Sequence, residues 1–409
     1  MKLKNRKKSR VPQSMLLYRI ARAIAWVVSK VIFRRRVLRN ELKGVRGPFM
    51  VIANHQAALD FVNLLGSTRT PMTFVISRSF YNTLPIKGFL RRMGVIPKQQ
   101  FQTSPDDLKK MRSVIAEGRG LAIYPAGLMS EDGLSTPIPT ATYRFLQWIG
   151  ADIYVARTAG TYFSMPKWRK TGLRRGRTTI DIYKLFSKEE VAGMTPDEIR
   201  AVAEPALLFD AYREQEELRV KYTSGNNIEG LENVLYLCPH CRSEFSMRVK
   251  NSDTIYCLEC GYAERADELG FLHLVSEVGE EIRYPSDWSR LIYRDLRERI
   301  ESGEETAIVT PGKVRMIDEE RKKFVEVGEG RVTLTDEGFR FIGTVHDALS
   351  RALVSTVNFA SLPFCPGEYF EIQHADDIFR IYPIDGHIVM KIINAVKVYY
   401  ELRQELPLV

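Results

Sequence analysis

Short apolar runs alternate with amphipathic stretches from Pro48 onward, and this alternation limits the possible folds more than any other feature of the chain. Phe49–Ala53, Met72–Ser77, Leu121–Tyr124, Ile153–Arg157 and Thr179–Tyr183 have the length and composition of buried strands. Pro105–Glu117 and Thr140–Ile149, which lie between them, have helical periodicity. Strand and helix in alternation predict a layered α/β domain whose mixed sheet is mainly parallel. A charged helical stretch, Pro196–Tyr222, closes the unit, with Thr195 as its N-cap and Pro196 in its first turn.

The rest of the 409 residues changes character. Ser224-Gly225-Asn226-Asn227 reads as a linker, and two close cysteine pairs follow it. A helix is expected over Asp287–Ser302. Beyond it come short strands at Lys323–Val327, Arg331–Thr335, Phe339–Gly343 and Tyr369–Gln373, then a last helix at Met390–Glu405. We therefore expect four segments: 1–44, basic and amphipathic; 45–223, the layered domain; 228–268, around the cysteines; and 285–409, a small β-rich domain with a C-terminal helix.

Charge is concentrated at the N-terminus. Residues 1–50 hold fifteen Lys and Arg against the single acid Glu41, whereas the remainder holds 45 basic against 49 acidic residues. From Met15 to Phe33, the residues Leu16, Leu17, Ile20, Ile24, Val27, Val28 and Val31 gather on one helical side. Arg19, Arg22 and Lys30 fall mostly away from it and interrupt any membrane span. Basic clusters flank the stretch, Lys2 to Arg10 before and Arg34 to Arg39 after. A helix lying in the headgroup layer of an anionic membrane has this pattern. The competing readings are a helix packed on the domain and, more weakly, a nucleic-acid-binding tail. There is no signal-peptide cleavage pattern, and cysteines are few, as expected for the reducing, cytoplasmic side of a membrane.

Cys238-Pro239-His240-Cys241 and Cys257-Leu258-Glu259-Cys260 make a C-x2-C-x15-C-x2-C array. That is the spacing of a zinc ribbon. Two tight turns would present four thiolates to one tetrahedral ion, and a closed four-sulfur shell makes the zinc structural. His240 is the less favoured ligand, and Cys365, between Phe364 and Pro366, reads as a buried apolar residue. The ribbon would serve as a brace or as a docking surface for a protein partner.

The chemistry is concentrated in Asn54-His55-Gln56-Ala57-Ala58-Leu59-Asp60, directly after the first predicted strand. Ligands collect at the carboxyl ends of such strands. Asp60 lies five residues beyond His55, within reach if a helix starts between them. A carboxylate on one ring nitrogen would fix the tautomer and raise the basicity of the other. Gly94-Val95-Ile96-Pro97-Lys98 follows, then Tyr124-Pro125-Ala126-Gly127-Leu128-Met129-Ser130. A histidine after a strand is by itself more often a core residue; the order of these blocks turns the balance.

On these three blocks, residues 45–220 resemble the glycerolipid acyltransferase family, which includes the lysophosphatidic acid acyltransferases. That family carries Asn-His-x4-Asp, Gly-x-Ile-x-Arg and Phe-Pro-Glu-Gly-Thr-Arg-Ser. The resemblance implies that His55 is the general base and Asp60 its orienting partner. It also implies an acceptor site drawing on Asn54, Arg78, Lys98, Pro125, Gly127, Ser130 and Arg157. Lys98 stands where the family has an arginine, Ala126 where it has Glu, and Leu128-Met129 where it has Thr-Arg. With that arginine missing, either the acceptor is not a simple phosphomonoester or Lys98, Arg78 or Arg157 supplies the charge. The apolar pair points to a more lipidic acceptor.

Residues 307–405 resemble a pleckstrin-homology-like fold, a small barrel capped by a helix whose apolar positions are Ile392, Ile393, Val396, Val398, Tyr399 and Leu402. Gly328 to Gly338 reads as strand-turn-strand. Such a module would bind lipid headgroups or a protein. The expected activity is transfer of a fatty acyl group from acyl-CoA or acyl-carrier protein to a lysolipid hydroxyl by a peripheral, monotopic enzyme. The alternatives are a lipid-binding or scaffold descendant of the same fold and, less favoured, a nucleic-acid-linked regulator.

Overall fold

Phe49-Met50-Val51-Ile52-Ala53 is buried along its whole length, because it forms the central strand of a seven-stranded sheet. The computed structural model describes residues 11–100, 104–170, 172–318, 320–321, 323–354, 360–374 and 377–404. The basic cluster Lys2 to Arg10 and Glu405, at the end of the last expected helix, lie outside them. Residues 1–165 and 173–223 cluster as one unit, and 166–172 with 224–409 as a second.

In the first unit the helix α1 (Met15–Val31) precedes β1 (Arg36–Asn40) and β2 (Phe49–Ala53). Then follow α2 (Asp60–Ser67), β3 (Met72–Ser77), α3 (Arg78–Thr83), α4 (Lys87–Met93) and β4 (Ile96–Lys98). Next come α5 (Pro105–Ala116), β5 (Gly120–Ile123), α6 (Ala141–Ile149), β6 (Asp152–Ala159) and β7 (Thr179–Phe186). Short helical turns at Thr161–Ser164 and Lys188–Gly193, with the helices α7 (Pro196–Leu207) and α8 (Ala211–Leu218), complete the unit. The strand order is β1-β7-β6-β2-β5-β3-β4. Every neighbouring pair is parallel except β6 with β7. The mixed, mainly parallel α/β layer expected from the sequence is therefore present. One apolar core (Met50, Ile52, Leu121, Leu146, Ile153, Val155) lies on one side of the sheet. Another (Phe49, Val51, Leu64, Phe74, Ala122, Ile180) lies on the other.

The strands outrun their apolar centres. β6 and β7 extend to Asp152 and Phe186, where Lys184 Nζ meets Asp152 at 2.8 Å, so polar ends join the antiparallel ladder. The single helical stretch expected over Pro196–Tyr222 is two helices. Asp210 caps α8 by accepting from the N–H groups of Tyr212 and Arg213 at 3.1 and 3.2 Å, which breaks the helix before it. The expected caps of α7 are present, with Thr195 and Glu198 forming a capping box.

Helix α1 buries Tyr18, Ala25 and Ser29. Leu16, Ile20, Ile24, Val27 and Val31 fall on the opposite side at 3.6 residues per turn, and each is 43–69% exposed.

In the second unit, β8 (Met247–Lys250), β9 (Thr254–Cys257), β10 (Ala263–Ala266) and β11 (Leu272–Leu274) form an antiparallel sheet around the cysteines. After α9 (Pro285–Glu301) come β12 (Ile308–Asp318), β13 (Lys323–Thr335), β14 (Gly338–Val345) and β15 (Ala348–Val354). β16 (Phe364–Cys365), β17 (Tyr369–His374), β18 (Asp377–Pro383) and the closing helix α10 (Ile388–Gln404) end the chain. The order β15-β14-β13-β12-β18-β17-β16 is wholly antiparallel. The expected β-rich domain with a C-terminal helix is thus observed. The two strands expected over Lys323–Val327 and Arg331–Thr335 are one. Gly328 lies in register with Val345, and a side chain there would meet the Thr344 carbonyl oxygen at 1.9 Å. Close backbone approach, not a turn, is what this glycine serves.

Candidate active site

Because β6, β2, β5, β3 and β4 run parallel, their carboxyl ends share one edge of the sheet. Arg157 near the end of β6, His55 after β2, Tyr124–Ser130 after β5, Arg78 after β3 and Lys98 at the end of β4 all come to that edge. Three blocks far apart in the sequence meet there for a topological reason.

His55 Nδ1 lies 2.9 Å from Asp60 Oδ2. A carboxylate is an acceptor only, so Nδ1 carries the hydrogen and Nε2 is left as the acceptor. Asp60 is wholly buried, at the start of α2, and its Oδ2 also accepts from the Ala57 N–H at 2.9 Å. A negative charge at a helix start is favoured. The imidazole keeps 19% of its side-chain surface exposed. Its ring packs against Tyr124, with centroids 4.5 Å apart. Burial, and then the Asp60 charge, push the Tyr124 hydroxyl pKa well above its usual value, so it stays neutral.

The loop after β5 is fastened to the histidine. Ser130 donates its N–H to the His55 carbonyl at 3.1 Å, and its Oγ accepts from the Gly133 N–H at 2.9 Å. Pro125 sits in a turn closed by the Gly127 N–H and the Tyr124 carbonyl at 3.0 Å. Gly127 has φ of 73°, and a Cβ at this position would meet no atom within 4 Å. The turn therefore needs the conformation of glycine rather than its small size.

Asn54 and Arg157 are occupied by the scaffold. Asn54 exchanges two 2.8 Å hydrogen bonds with the Thr158 backbone and locks the end of β2 to β6. Arg157 donates to Glu214 Oε1 at 2.8 Å and to the Leu208 carbonyl at 2.6 Å. Gln56, missed in the sequence, donates to Glu214 Oε2 at 3.0 Å and accepts from Thr161 Oγ1 at 3.2 Å. Burial raises the Glu214 carboxyl pKa, against the opposing pull of Arg157.

Lys98 and Arg78 lie at the other end of the site. Ser77 pairs with Lys98 across β3 and β4, which puts Arg78 directly beyond. Arg78 Nη2 is 3.5 Å from Asp107 Oδ1. Burial lowers the Lys98 pKa, while Asp107 raises it and Arg78 lowers it further. Gln100, also missed, accepts from Ser77 Oγ at 2.9 Å and donates to the Gly127 carbonyl at 2.6 Å. It therefore joins the β3 end to the loop after β5. Asp107 and Gln100 carried no sequence signal, since neither belongs to a block.

In the second unit, the sulfurs of Cys238, Cys241, Cys257 and Cys260 lie within 4.8 Å of one another. The Cys238–Cys260 and Cys241–Cys257 separations are both 3.7 Å. Zinc–sulfur bonds of about 2.3 Å in a tetrahedron place sulfurs about 3.8 Å apart, so the donor set fits a zinc ion.

Residues 22–163 match the family described as Acyltransferase. Over 163 residues the chain is 26% identical to a 1-acyl-sn-glycerol-3-phosphate acyltransferase of Chlamydomonas reinhardtii, covering 39% of this chain. It spans about half of that relative's length, 48%. Among solved structures, the 1-acyl-sn-glycerophosphate acyltransferase PlsC of Thermotoga maritima aligns over 46% of this chain and 78% of its own, with 17% identity and a TM-score of 0.39. The family match takes in the His55–Asp60 pair and the loop after β5, so the stretch that carries the candidate site is the stretch that is similar to the acyltransferases.

Proposed function

We propose that the protein transfers a fatty acyl group from a thioester, acyl-CoA or acyl-carrier protein, to the hydroxyl of a lysophospholipid at a membrane surface. The observation that carries this reading is the 2.9 Å contact from His55 Nδ1 to buried Asp60, which leaves Nε2 as the acceptor. Nε2 takes the hydroxyl proton as the lipid oxygen attacks the thioester carbonyl carbon. The tetrahedral intermediate then collapses, the C–S bond breaks, and His55 Nε2 returns the proton to the departing sulfur, which leaves as the thiol. No covalent acyl-enzyme is needed, because the donor is already activated.

Membrane contact is supported by α1. Its five exposed aliphatic side chains, once covered by lipid, would each contribute up to about 1.5–3 kcal/mol, and Arg19 and Lys30 are exposed on the same helix. No helix among the described residues is long and apolar enough to cross a membrane. In the second unit, Cys238, Cys241, Cys257 and Cys260 would hold a structural zinc with no open coordination position. The β-rich domain offers a surface for a protein partner.

A second reading follows from Ala126 and Met129, which replace the family's Glu and Arg: a lipid-binding descendant without turnover. One assay separates the two. The purified chain is incubated with acyl-CoA or acyl-carrier protein and a panel of lysolipids, and released thiol and diacyl product are measured. Product formation in step with thiol release supports the enzyme, whereas lipid binding without product supports the descendant.

A further inference from the structure

Between Asp60 and Asp106 the chain carries no acidic residue. The middle of this stretch holds α3, α4 and the turn that joins them, and it starts directly at the carboxyl end of β3. None of the residues from Arg78 to Thr83 is buried. Phe80 is 52% and Ile86 50% exposed, and Pro85 beside Ile86 is exposed as well. The fold holds these side chains out. Tyr81 donates its hydroxyl to the Lys87 carbonyl at 3.1 Å across the turn, and Thr83 Oγ1 donates to the Phe80 carbonyl at 2.8 Å. Phe89 and Leu90 of α4 pack inward on the core that contains Tyr18 and Ala25 of α1. Helix α4 ends on Arg91 and Arg92, both exposed. The Arg92 carbonyl accepts the N–H of Ser14, the N-cap of α1, at 2.7 Å. Leu16, at that same end of α1, is 69% exposed.

We propose that the α3–α4 turn is a second docking surface for an anionic bilayer, adjoining α1. The proposal deepens the membrane reading of α1 and rests on it. Aromatic and aliphatic side chains that stand out from a preformed turn insert at the boundary between headgroups and acyl chains. Lys87, Arg91 and Arg92 beside them match anionic headgroups, and the stretch holds no carboxylate to oppose that attraction. Continuity selects lipid over a protein partner, because the bond from Ser14 to Arg92 fastens the turn's helix to the start of the amphipathic helix. Contact through both elements brings the carboxyl edge of the sheet, where β3 ends and His55 lies, to the bilayer. The hydroxyl of a membrane-borne lysolipid lies at that same level.

The test labels Ile86→Cys with a polarity-sensitive fluorophore, and wild type treated in the same way supplies the background from native cysteines. Vesicles of phosphatidylcholine, with and without phosphatidylglycerol, are added to the whole chain, and flotation is measured in parallel. The label at position 86 should shift to the blue with phosphatidylglycerol vesicles and less with phosphatidylcholine alone. Phe80→Asp with Ile86→Asp should lower vesicle affinity at least tenfold, with a melting temperature within a few degrees of wild type. Arg91→Gln with Arg92→Gln should cost roughly fivefold per charge, on anionic vesicles only. Suppose wild type floats and Ile20→Asp with Ile24→Asp removes flotation. An unshifted label and normal binding by the Phe80 and Ile86 variant then overturn this inference and leave the membrane reading of α1 standing. A wild type that floats with neither vesicle overturns both. A label that shifts with protein concentration in the absence of lipid assigns the turn to a second copy of the chain and also overturns the inference.

Discussion

Ser130 donates its backbone N–H to the carbonyl of His55 at 3.1 Å, so the loop that would receive the acceptor and the residue that would take its proton move as one piece. The contact joins the loops after two adjacent strands of the sheet.

The first prediction concerns the dyad. His55→Ala should lower kcat by roughly 10²–10⁴-fold with little change in acceptor KM. Asp60→Asn keeps the shape but no longer fixes Nδ1–H, so kcat should fall within the same range. Steady-state thiol release measures both, and a His55→Ala rate equal to wild type removes the proposed mechanism.

Gln100 should act through the loop it holds. Gln100→Ala loses its bonds to Ser77 and the Gly127 carbonyl. A lost hydrogen bond of about 1 kcal/mol predicts an acceptor KM raised roughly five- to tenfold. The pH profile of kcat should stay the same, because the dyad is untouched. An altered pH profile would place Gln100 in the proton chemistry instead.

Membrane contact should fail when the α1 stripe becomes charged. Ile20→Asp with Ile24→Asp should abolish co-flotation with vesicles containing anionic lipid, while the melting temperature shifts by only a few degrees, since both side chains are already exposed. Wild-type binding should weaken as salt rises from low to physiological ionic strength. Unchanged flotation of the double variant would assign the stripe another role.

Metal removal should act on the second unit. The chain should bind about one zinc per molecule by atomic absorption, and Cys241→Ser should lower that content. Glu244, three residues beyond Cys241, pairs with Lys391 at 2.8 Å and also bonds Arg299. Chelation should therefore expose α10 amides to hydrogen exchange as well as those of the cysteine sheet. Protection of α10 unaffected by chelation would show the two to be uncoupled.

Glu264 gives a pH dependence with a definite sign. It is buried, accepts from the Tyr262 hydroxyl at 2.7 Å, and burial pushes its carboxyl pKa up to about 7 from the usual 4.5. A raised folded-state value means that its contribution is fully present below 4.5 and is lost as pH climbs through 7. Between pH 6 and 8 the second unit should lose about 1 kcal/mol of stability, and Glu264→Gln should flatten that slope. Denaturant melts at the two pH values measure it; a wild type more stable at pH 8 contradicts the assignment.

Much of the fold could be read from the sequence where burial was two-sided. Phe49–Ala53 is apolar from end to end and Met72–Ser77 largely so, and the structure places strands at those positions. β12 was not foreseen, because Pro311 and Gly312 interrupt it, yet it pairs with β13 on one side and β18 on the other. β1 was hidden in a basic cluster, as an edge strand that buries little. Asn54 and Arg157 carry polar groups that a sequence reading assigns to a ligand, whereas the Thr158 backbone, Glu214 and the Leu208 carbonyl take them.

The sequence by itself determined the alternation of strand and helix, the His55–Asp60 spacing and the four-cysteine array, because each depends on local periodicity or on residues a few positions apart. Only the tertiary structure decided that Arg78 faces buried Asp107, and that Gln100 and Ser130 fasten the loop after β5. Those relationships come from parallel strands ending at one edge, and strand order is fixed by long-range packing that no single stretch of chain encodes.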